Sequence, residues 1–238
     1  PYADNPFDLY KRLSALNLSP QQFFMEPPEF AVISNSPESL FAFTPDGKII
    51  TRPIKGTVLR GRTAEEDRRN IQKLLASEKE KAELAMIVDL ERNDLGKICT
   101  PGTVRVTELR GVEKYSHVIH TVATIEGALE KDRDFLDALH ALFPGGSVTG
   151  CPKKRTMEII SELEGEARGV YCGSAGFIDI SGACEFNIMI RTMFLQKTPQ
   201  PKIILRSGGG IVVDSDAKRE YEEVHYKAQA MISSIMYN

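Results

Sequence analysis

Two pairs of glutamates share one spacing, Glu80 with Glu83 and Glu220 with Glu223. Residues three apart on a helix face the same side, so each pair can turn two carboxylates toward one point. Hard oxygen donors of this kind suit Mg2+, which takes few protein carboxylates and keeps several waters. A solvated helix face accounts for the same spacing without any ligand. The run from Phe143 to Arg155, FPGGSVTGCPKKR, sets small residues, the Thr149 hydroxyl and free backbone N–H groups just ahead of a helix start, where geometry and dipole favour an anion. It is not a P-loop, because Cys151-Pro152 stands where Lys-Ser/Thr is required. Ser207 to Ile211, SGGGI, follows a strand pattern; it lets a ligand approach the backbone at Gly209 or Gly210, or serves as an ordinary turn.

Single residues add reactive chemistry. Lys55 lies in PIKGT, between a strand and the next helix. On a surface such a lysine is unremarkable, but in a poorly solvated site it becomes a nucleophile or base. His120 is either a general acid/base or a structural strand histidine, and with His117 it does not complete the H-E-x-x-H of a zinc site. Arg191, within the apolar IMIRTMF, is costly to bury without an anion; a substrate carboxylate or a structural ion pair would satisfy it.

The elements that carry these residues are readable from caps and periodicity. Asn5 and Pro6 open a helix over 6–15. FAVIS, LFAF and KIIT read as strands, the last two joined by the turn residues Pro45, Asp46 and Gly47. Thr63 to Glu66 and Ser77 to Glu80 have capping-box spacing and start two helices, the second ending near Gly96. Strands are expected over 104–125, helices over 133–142 and from Pro152 to just before Gly165. VYCGSAGFIDI, CEFNIMIRTMFL, KIILRSGG and IVVD read as further strands, and a last helix spans 217–236 with Tyr221, Val224, Ala228, Met231, Ile232 and Ile235 along one stripe. Strands in meanders rather than strict alternation with helices predict an antiparallel α+β fold in a single domain, 1–238.

Composition narrows the function classes. The chain has 238 residues, 42% of them hydrophobic, and 30 Lys+Arg against 33 Asp+Glu. No basic excess argues for nucleic acid or a membrane surface, and no apolar run approaches a membrane span. The first residues have neither the basic start nor the apolar stretch of a signal peptide. Cys99, Cys151, Cys172 and Cys184 lie far apart, as reduced thiols of a cytoplasmic protein would.

Taken together, nine segments resemble the motifs of the chorismate-binding enzymes, the family of anthranilate synthase component I, aminodeoxychorismate synthase component I and the isochorismate and salicylate synthases. They are SNSPES (34–39), RPIKGT (52–57), ELAMIVDLERNDLG (83–96), EKYSHVIH (113–120), FPGGSVTGCPKKRTMEII (143–160), GVYCGSAGFI (169–178), IMIRT (188–192), SGGGIVVDSD (207–216) and EYEEVHYKA (220–228), in the family's order. The resemblance implies a four-layer α/β/β/α sandwich with two packed antiparallel sheets. It implies that Glu83 and Glu223 hold Mg2+, with Glu80 and Glu220 supporting its waters or the leaving C4 hydroxyl, and that the ion neutralises the ring carboxylate of chorismate. Arg191, Tyr171 and the backbone at Gly209 and Gly210 would receive the enolpyruvyl carboxylate. Thr57 and Thr149 match pocket hydroxyls, His120 matches the family's active-site histidine, and Lys227 is a further anion contact.

Lys55 selects within the family. Anthranilate synthases resemble P-I-A-G-T at this point, whereas the lysine is characteristic of aminodeoxychorismate synthases, where an uncharged amine attacks C2 of chorismate before ammonia adds at C4. The resemblance therefore implies 4-amino-4-deoxychorismate formation for para-aminobenzoate and folate synthesis. A separate glutamine amidotransferase would supply the ammonia, since no Cys-His glutaminase module is present. The alternatives are anthranilate synthase component I, isochorismate synthase, and a non-catalytic chorismate-binding fragment. Cys151 replaces the family's more usual alanine. The helix and strand that family members have before the position of Pro1, with the residue that separates ammonia use from water use, are not in this sequence, so the chain reads as lacking the family's N-terminal portion.

Overall fold

The structure is a computed structural model, and it describes residues 5–115 and 118–236. The described elements run α1 (Pro6–Leu16), β1 (Gln21–Met25), β2 (Phe30–Ser36), β3 (Ser39–Phe43), β4 (Lys48–Thr51) and β5 (Ile54–Leu59). Then come α2 (Ala64–Ala76), α3 (Glu78–Leu95), β6 (Arg105–Lys114), β7 (Val118–Ala128), α4 (Phe135–Leu142), a 3-10 turn (Gly146–Val148) and α5 (Lys153–Glu164). The chain ends with β8 (Gly176–Ile178), β9 (Cys184–Asn187), β10 (Thr192–Gln196), β11 (Lys202–Leu205) and α6 (Ala217–Met236).

Side-chain caps set most helix starts. The Asn5 side chain accepts the Phe7 N–H at 2.8 Å, and Thr63 and Ser77 accept from the backbone N–H of Glu66 and Glu80. The return half of the first capping box differs from expectation: the Glu66 carboxylate accepts from Arg62 N–H, one residue before the cap. Asp134 and Asp137 form a complete box at α4, and Gly165 ends α5 in the left-handed conformation that glycine adopts most cheaply.

The chain folds as two compact units. The first unit gathers residues up to Glu38, 166–175 and those from Asn187 on. Its sheet has the order β1-β2-β10-β11, every pair antiparallel. Leu9 and Leu13 of α1, Ile33 of β2, Met193 of β10 and Ala228 and Met231 of α6 form its core. Each fully buried Leu, Ile or Met there contributes about 1.5–3 kcal/mol. The inward stripe of α6 is Glu220, Ala228, Met231 and Ser234; Tyr221 and Ile232, expected on that stripe, are exposed.

The second unit holds residues 39–165 and 176–186. Its seven-stranded sheet has the order β5-β7-β4-β3-β9-β8, with β6 also on β7. β7 is the organising strand: β6 pairs along its length, while β5 takes 118–122 and β4 takes 125–128 of the other edge. Ile119, Val122, Ala123 and Ile125 of β7 are buried, as are Leu84, Ile87 and Leu95 of α3.

The α+β class with two antiparallel sheets flanked by helices is thus as expected, but several strands are not. β1 and β5 form where the sequence pattern marks no strand. The segment 184–195, which reads as one strand, is β9 and β10 in different sheets, with 188–191 between them and Arg191 at φ +50°. Of 170–180 only Gly176–Ile178 is strand, and IVVD forms none.

Candidate active site

In the second unit the candidates converge at the start of the β5–β7 pairing. Lys55 lies opposite Thr121 and Thr57 opposite His120, with a bulge at Gly56 between them. Gly56 has φ +81°, and a Cβ there would stand 2.8 Å from Leu74 Cδ1 and 3.3 Å from Glu80 Oε2. Glycine is therefore required twice, by conformation and by space. The bulge re-aims the strand between Lys55 and Thr57 and brings this backbone close to the first turn of α3. The Thr121 hydroxyl donates to the Lys55 carbonyl.

His120 is 2% exposed, and its Nδ1 lies 2.8 Å from Thr57 Oγ1. Its ring centroid is 5.7 Å from that of Tyr115, whose hydroxyl donates to Glu113 at 2.6 Å; Arg52 donates to the same carboxylate. Burial first, and the Glu113 carboxylate second, push the Tyr115 phenol up to about 12. Burial alone would push Glu113 up as well, but the Tyr115 hydroxyl and Arg52 outweigh it and hold the carboxyl below its ordinary value. Glu83 follows Glu80 by three residues on α3, with its carboxylate 3.8 Å from Lys79 Nζ.

The loop from Phe143 to Pro152 also belongs to this unit. Gly146 packs so closely on α3 that a Cβ would stand 2.8 Å from Leu90 Cδ2. The Thr149 hydroxyl donates to Gly145 O at 2.9 Å, which leaves its oxygen able to accept. Cys151 is exposed, while the other three cysteines are buried free thiols.

In the first unit the glycine-rich segment after β11 lies against α6 and Tyr171. A Cβ on Gly208 would fall 2.6 Å from Tyr171 Oη, and one on Gly209 would sit 3.5 Å from Glu220 Oε2 and 4.0 Å from Lys227 Nζ. Gly209 and Gly210 are exposed backbone. Ser215 donates to Glu220 Oε1 at 2.7 Å, holding a carboxylate that is only 7% exposed. Lys227 pairs with Glu223 at 2.6 Å one turn earlier on α6 and reaches Gly208 O at 3.4 Å. Arg191 sits at the left-handed break before β10; burial draws its guanidinium down from the ordinary arginine value, opposed by Tyr226 and Glu38.

The candidates thus form two groups. Lys55, Thr57, Glu80 and His120 assemble in one unit, Tyr171, Gly209, Glu220, Glu223 and Lys227 in the other. Sequence reasoning does not single out Gly56, Thr121, Gly208, Ser215 or the Arg52–Glu113–Tyr115 set. Only Gly56 carries a local signal, a glycine beside a candidate lysine. His117 lies outside the described residues. No group of three or more His, Cys, Asp or Glu side chains among the described residues is drawn together closely enough to hold an ion. Each unit nonetheless offers two carboxylates of the hard-donor type that Mg2+ takes, one of them the buried Glu220, so the residues fit that ion by chemistry. No helix among the described residues is long and apolar enough to cross a membrane.

Residues 1–233 match the family model of the chorismate binding enzymes, so the chain belongs to that family. It is 47% identical over 228 residues to aminodeoxychorismate synthase component 1 of Bacillus subtilis, covering 95% of this chain and 47% of that protein. It is 43% identical over 239 residues to anthranilate synthase component 1 of Mycolicibacterium smegmatis, covering 98% of this chain and 45% of that one. Among solved structures, anthranilate synthase component I of Streptococcus pneumoniae superposes with a TM-score of 0.85 at 40% identity, covering 96% of this chain and 50% of the other. The chain spans about half the length of these relatives.

Proposed function

We propose that this chain is the chorismate-converting part of an aminodeoxychorismate synthase component I, placing an amino group at C4 of chorismate. The observation that carries this reading is the setting of Lys55. It lies on β5 beside the Gly56 bulge, partly buried, two residues from Thr57 and its bond to His120, and its ammonium makes no ion pair or hydrogen bond among the described residues. A lysine with no such partner among the described residues, on the strand that carries Thr57 and beside the Gly56 backbone that approaches Glu80, is available for chemistry.

In the proposed reaction the Lys55 amine bonds to C2 of chorismate, the ring double bonds shift, and the C4–O bond breaks. Glu80 or His120 gives the departing hydroxyl its proton, so water leaves. Ammonia then bonds to C4, the double bonds shift back, and the C2–N bond breaks to restore Lys55. Arg191, Tyr171 and the backbone at Gly209 and Gly210 receive the enolpyruvyl carboxylate, with Lys227 as a further cation and Thr57 and Thr149 as hydroxyl contacts. Glu83 and Glu223 would hold Mg2+, with Glu80 and Glu220 supporting its waters or the leaving hydroxyl, and the ion when bound would supply positive charge against the ring carboxylate. A glutamine amidotransferase subunit supplies the ammonia, and the enzyme works in the cytoplasm.

A second reading, anthranilate synthase, is favoured by the relatives themselves. Anthranilate synthases stand at 43% and 44% identity over nearly the whole chain, and the solved relatives include anthranilate and isochorismate synthases. Products from chorismate, Mg2+ and ammonium salt separate the readings. Wild-type protein quenched with chorismate in the absence of ammonia should carry an adduct on the peptide containing Pro53 to Thr57, and Lys55→Ala should still bind chorismate without forming aminodeoxychorismate. Anthranilate as product, or full activity in Lys55→Ala, would overturn the proposal in favour of the second reading.

A further inference from the structure

The sequence sets Lys153 in an unremarkable basic run, KKR, yet the structure holds it at two points. Its side chain is 17% exposed, its Nζ lies 2.6 Å from Oδ2 of Asp94, and it donates to the carbonyl of Leu142 at 3.0 Å. Asp94 is itself buried, its side chain 2% exposed, with Lys97 Nζ at 2.7 Å on the other oxygen. The contact at Oδ2 has ion-pair distance without hydrogen-bond angles, so charge rather than direction holds it. One ammonium therefore ties together the last turn of α3, the last residue of α4 and the first residue of α5.

Between those ends of α4 and α5 runs the loop that carries Thr149. It touches α3 at a second point, where a Cβ on Gly146 would stand 2.8 Å from Leu90 Cδ2, so a larger residue would have to push that side chain aside. Leu90 and Asp94 follow Glu83 by seven and eleven residues on α3, close to two and three whole turns at 3.6 residues per turn, so the three share one stripe. The loop is clamped along the same stripe that presents Glu83, by close packing at one point and by a buried charge pair at another.

We infer that Lys153 is a positioning residue: by pairing with Asp94 it fixes the 143–152 loop, and with it the Thr149 hydroxyl, at a set place along α3 relative to Glu80 and Glu83. The inference rests on the chorismate reading for what the loop serves, and on the geometry alone for the anchor. Removing only the lysine would leave a buried carboxylate under-compensated and confuse anchoring with stability. The informative variant is the neutral pair, Lys153→Met with Asp94→Asn, which removes the clamp and the buried charge together.

Two readouts on the purified 238-residue chain test it. Amide hydrogen exchange over 145–150 should quicken at least about ten-fold in the double variant while the amides of 87–92 stay as protected as in the wild type. The Michaelis constant for chorismate should rise about ten-fold with a smaller fall in kcat, because a loosened loop loses substrate contacts in ground and transition states alike. Unchanged exchange in the loop would overturn the anchor whatever the activity. Faster exchange with an unaltered Michaelis constant would overturn the positioning role. A wild type that turns over no chorismate would overturn that role together with the chorismate reading, while the exchange result still decides the anchor.

Discussion

Thr57 Oγ1 and His120 Nδ1 lie 2.8 Å apart across the β5–β7 pairing, in the register that sets the two residues directly opposite each other. A bond to one ring nitrogen fixes the plane of the imidazole and the tautomer it presents at the other. Thr57 thus orients the histidine as well as offering a hydroxyl. Thr57→Val should lower stability by about 1–2 kcal/mol through the lost bond to a buried ring. It should slow chorismate turnover about 10–100-fold if the oriented ring moves a proton. Thr57→Ser, which keeps the hydroxyl, should lose little of either; urea unfolding and steady-state kinetics on both variants make the check.

The Glu113 carboxyl gives a pH-dependent test. Its folded value is held below that of an unfolded glutamate, about 4.3, because the Tyr115 hydroxyl and Arg52 outweigh the effect of burial. A depressed carboxyl contributes stability that is complete above the unfolded value and is lost as pH falls through the folded one. Tyr115→Phe removes one donor, so the folded value moves back toward the unfolded one. The variant should be less stable than wild type by about 1 kcal/mol at neutral pH, and the difference should shrink once acid protonates Glu113 in both. Urea midpoints followed from about pH 7 down through and below the glutamate range read it; a gap that does not shrink as the pH falls would assign the loss to packing instead.

Glu223 separates metal chemistry from stability. Its ion pair with Lys227 joins side chains 50% and 34% exposed, so Glu223→Gln should cost under about 1 kcal/mol. If Glu223 is a donor to Mg2+, the same change should cut turnover more than about a hundred-fold and weaken Mg2+ binding measured by titration calorimetry. Near-normal activity at low Mg2+ would remove Glu223 from the donor set.

Local chemistry is legible in the sequence and long-range pairing is not. Asn5, Thr63 and Ser77 announce helix starts because a cap is a bond within three residues, and Pro45-Asp46-Gly47 announces a turn for the same reason. β5 is hidden because its strand character comes from β7, more than sixty positions away. The run 184–195 reads as one strand because nothing in its apolar pattern marks where Arg191 takes φ +50° and the chain leaves one sheet for the other. IVVD has strand composition but no partner strand among the described residues. Of the site, the residue types are visible as motifs, whereas the Thr57–His120 bond and the Gly56 approach to Glu80 need the register of β5 on β7.

The strand order β1-β2-β10-β11 has a consequence for the growing polypeptide. Ser34 of β2 bonds Thr192 at the start of β10, a partner 158 positions later. At a synthesis rate of about 5–20 residues per second, β1 and β2 leave the ribosome roughly eight to thirty seconds before the strand that must pair with them. All seven strands of the second sheet are encoded within that interval and can assemble first. β2, whose residues from Ala31 to Ser36 are all buried in the finished fold, meanwhile has an open edge and an uncovered apolar face. During that interval 30–36 is a stretch a nascent-chain chaperone has reason to protect, and a slower ribosome lengthens its exposure to aggregation.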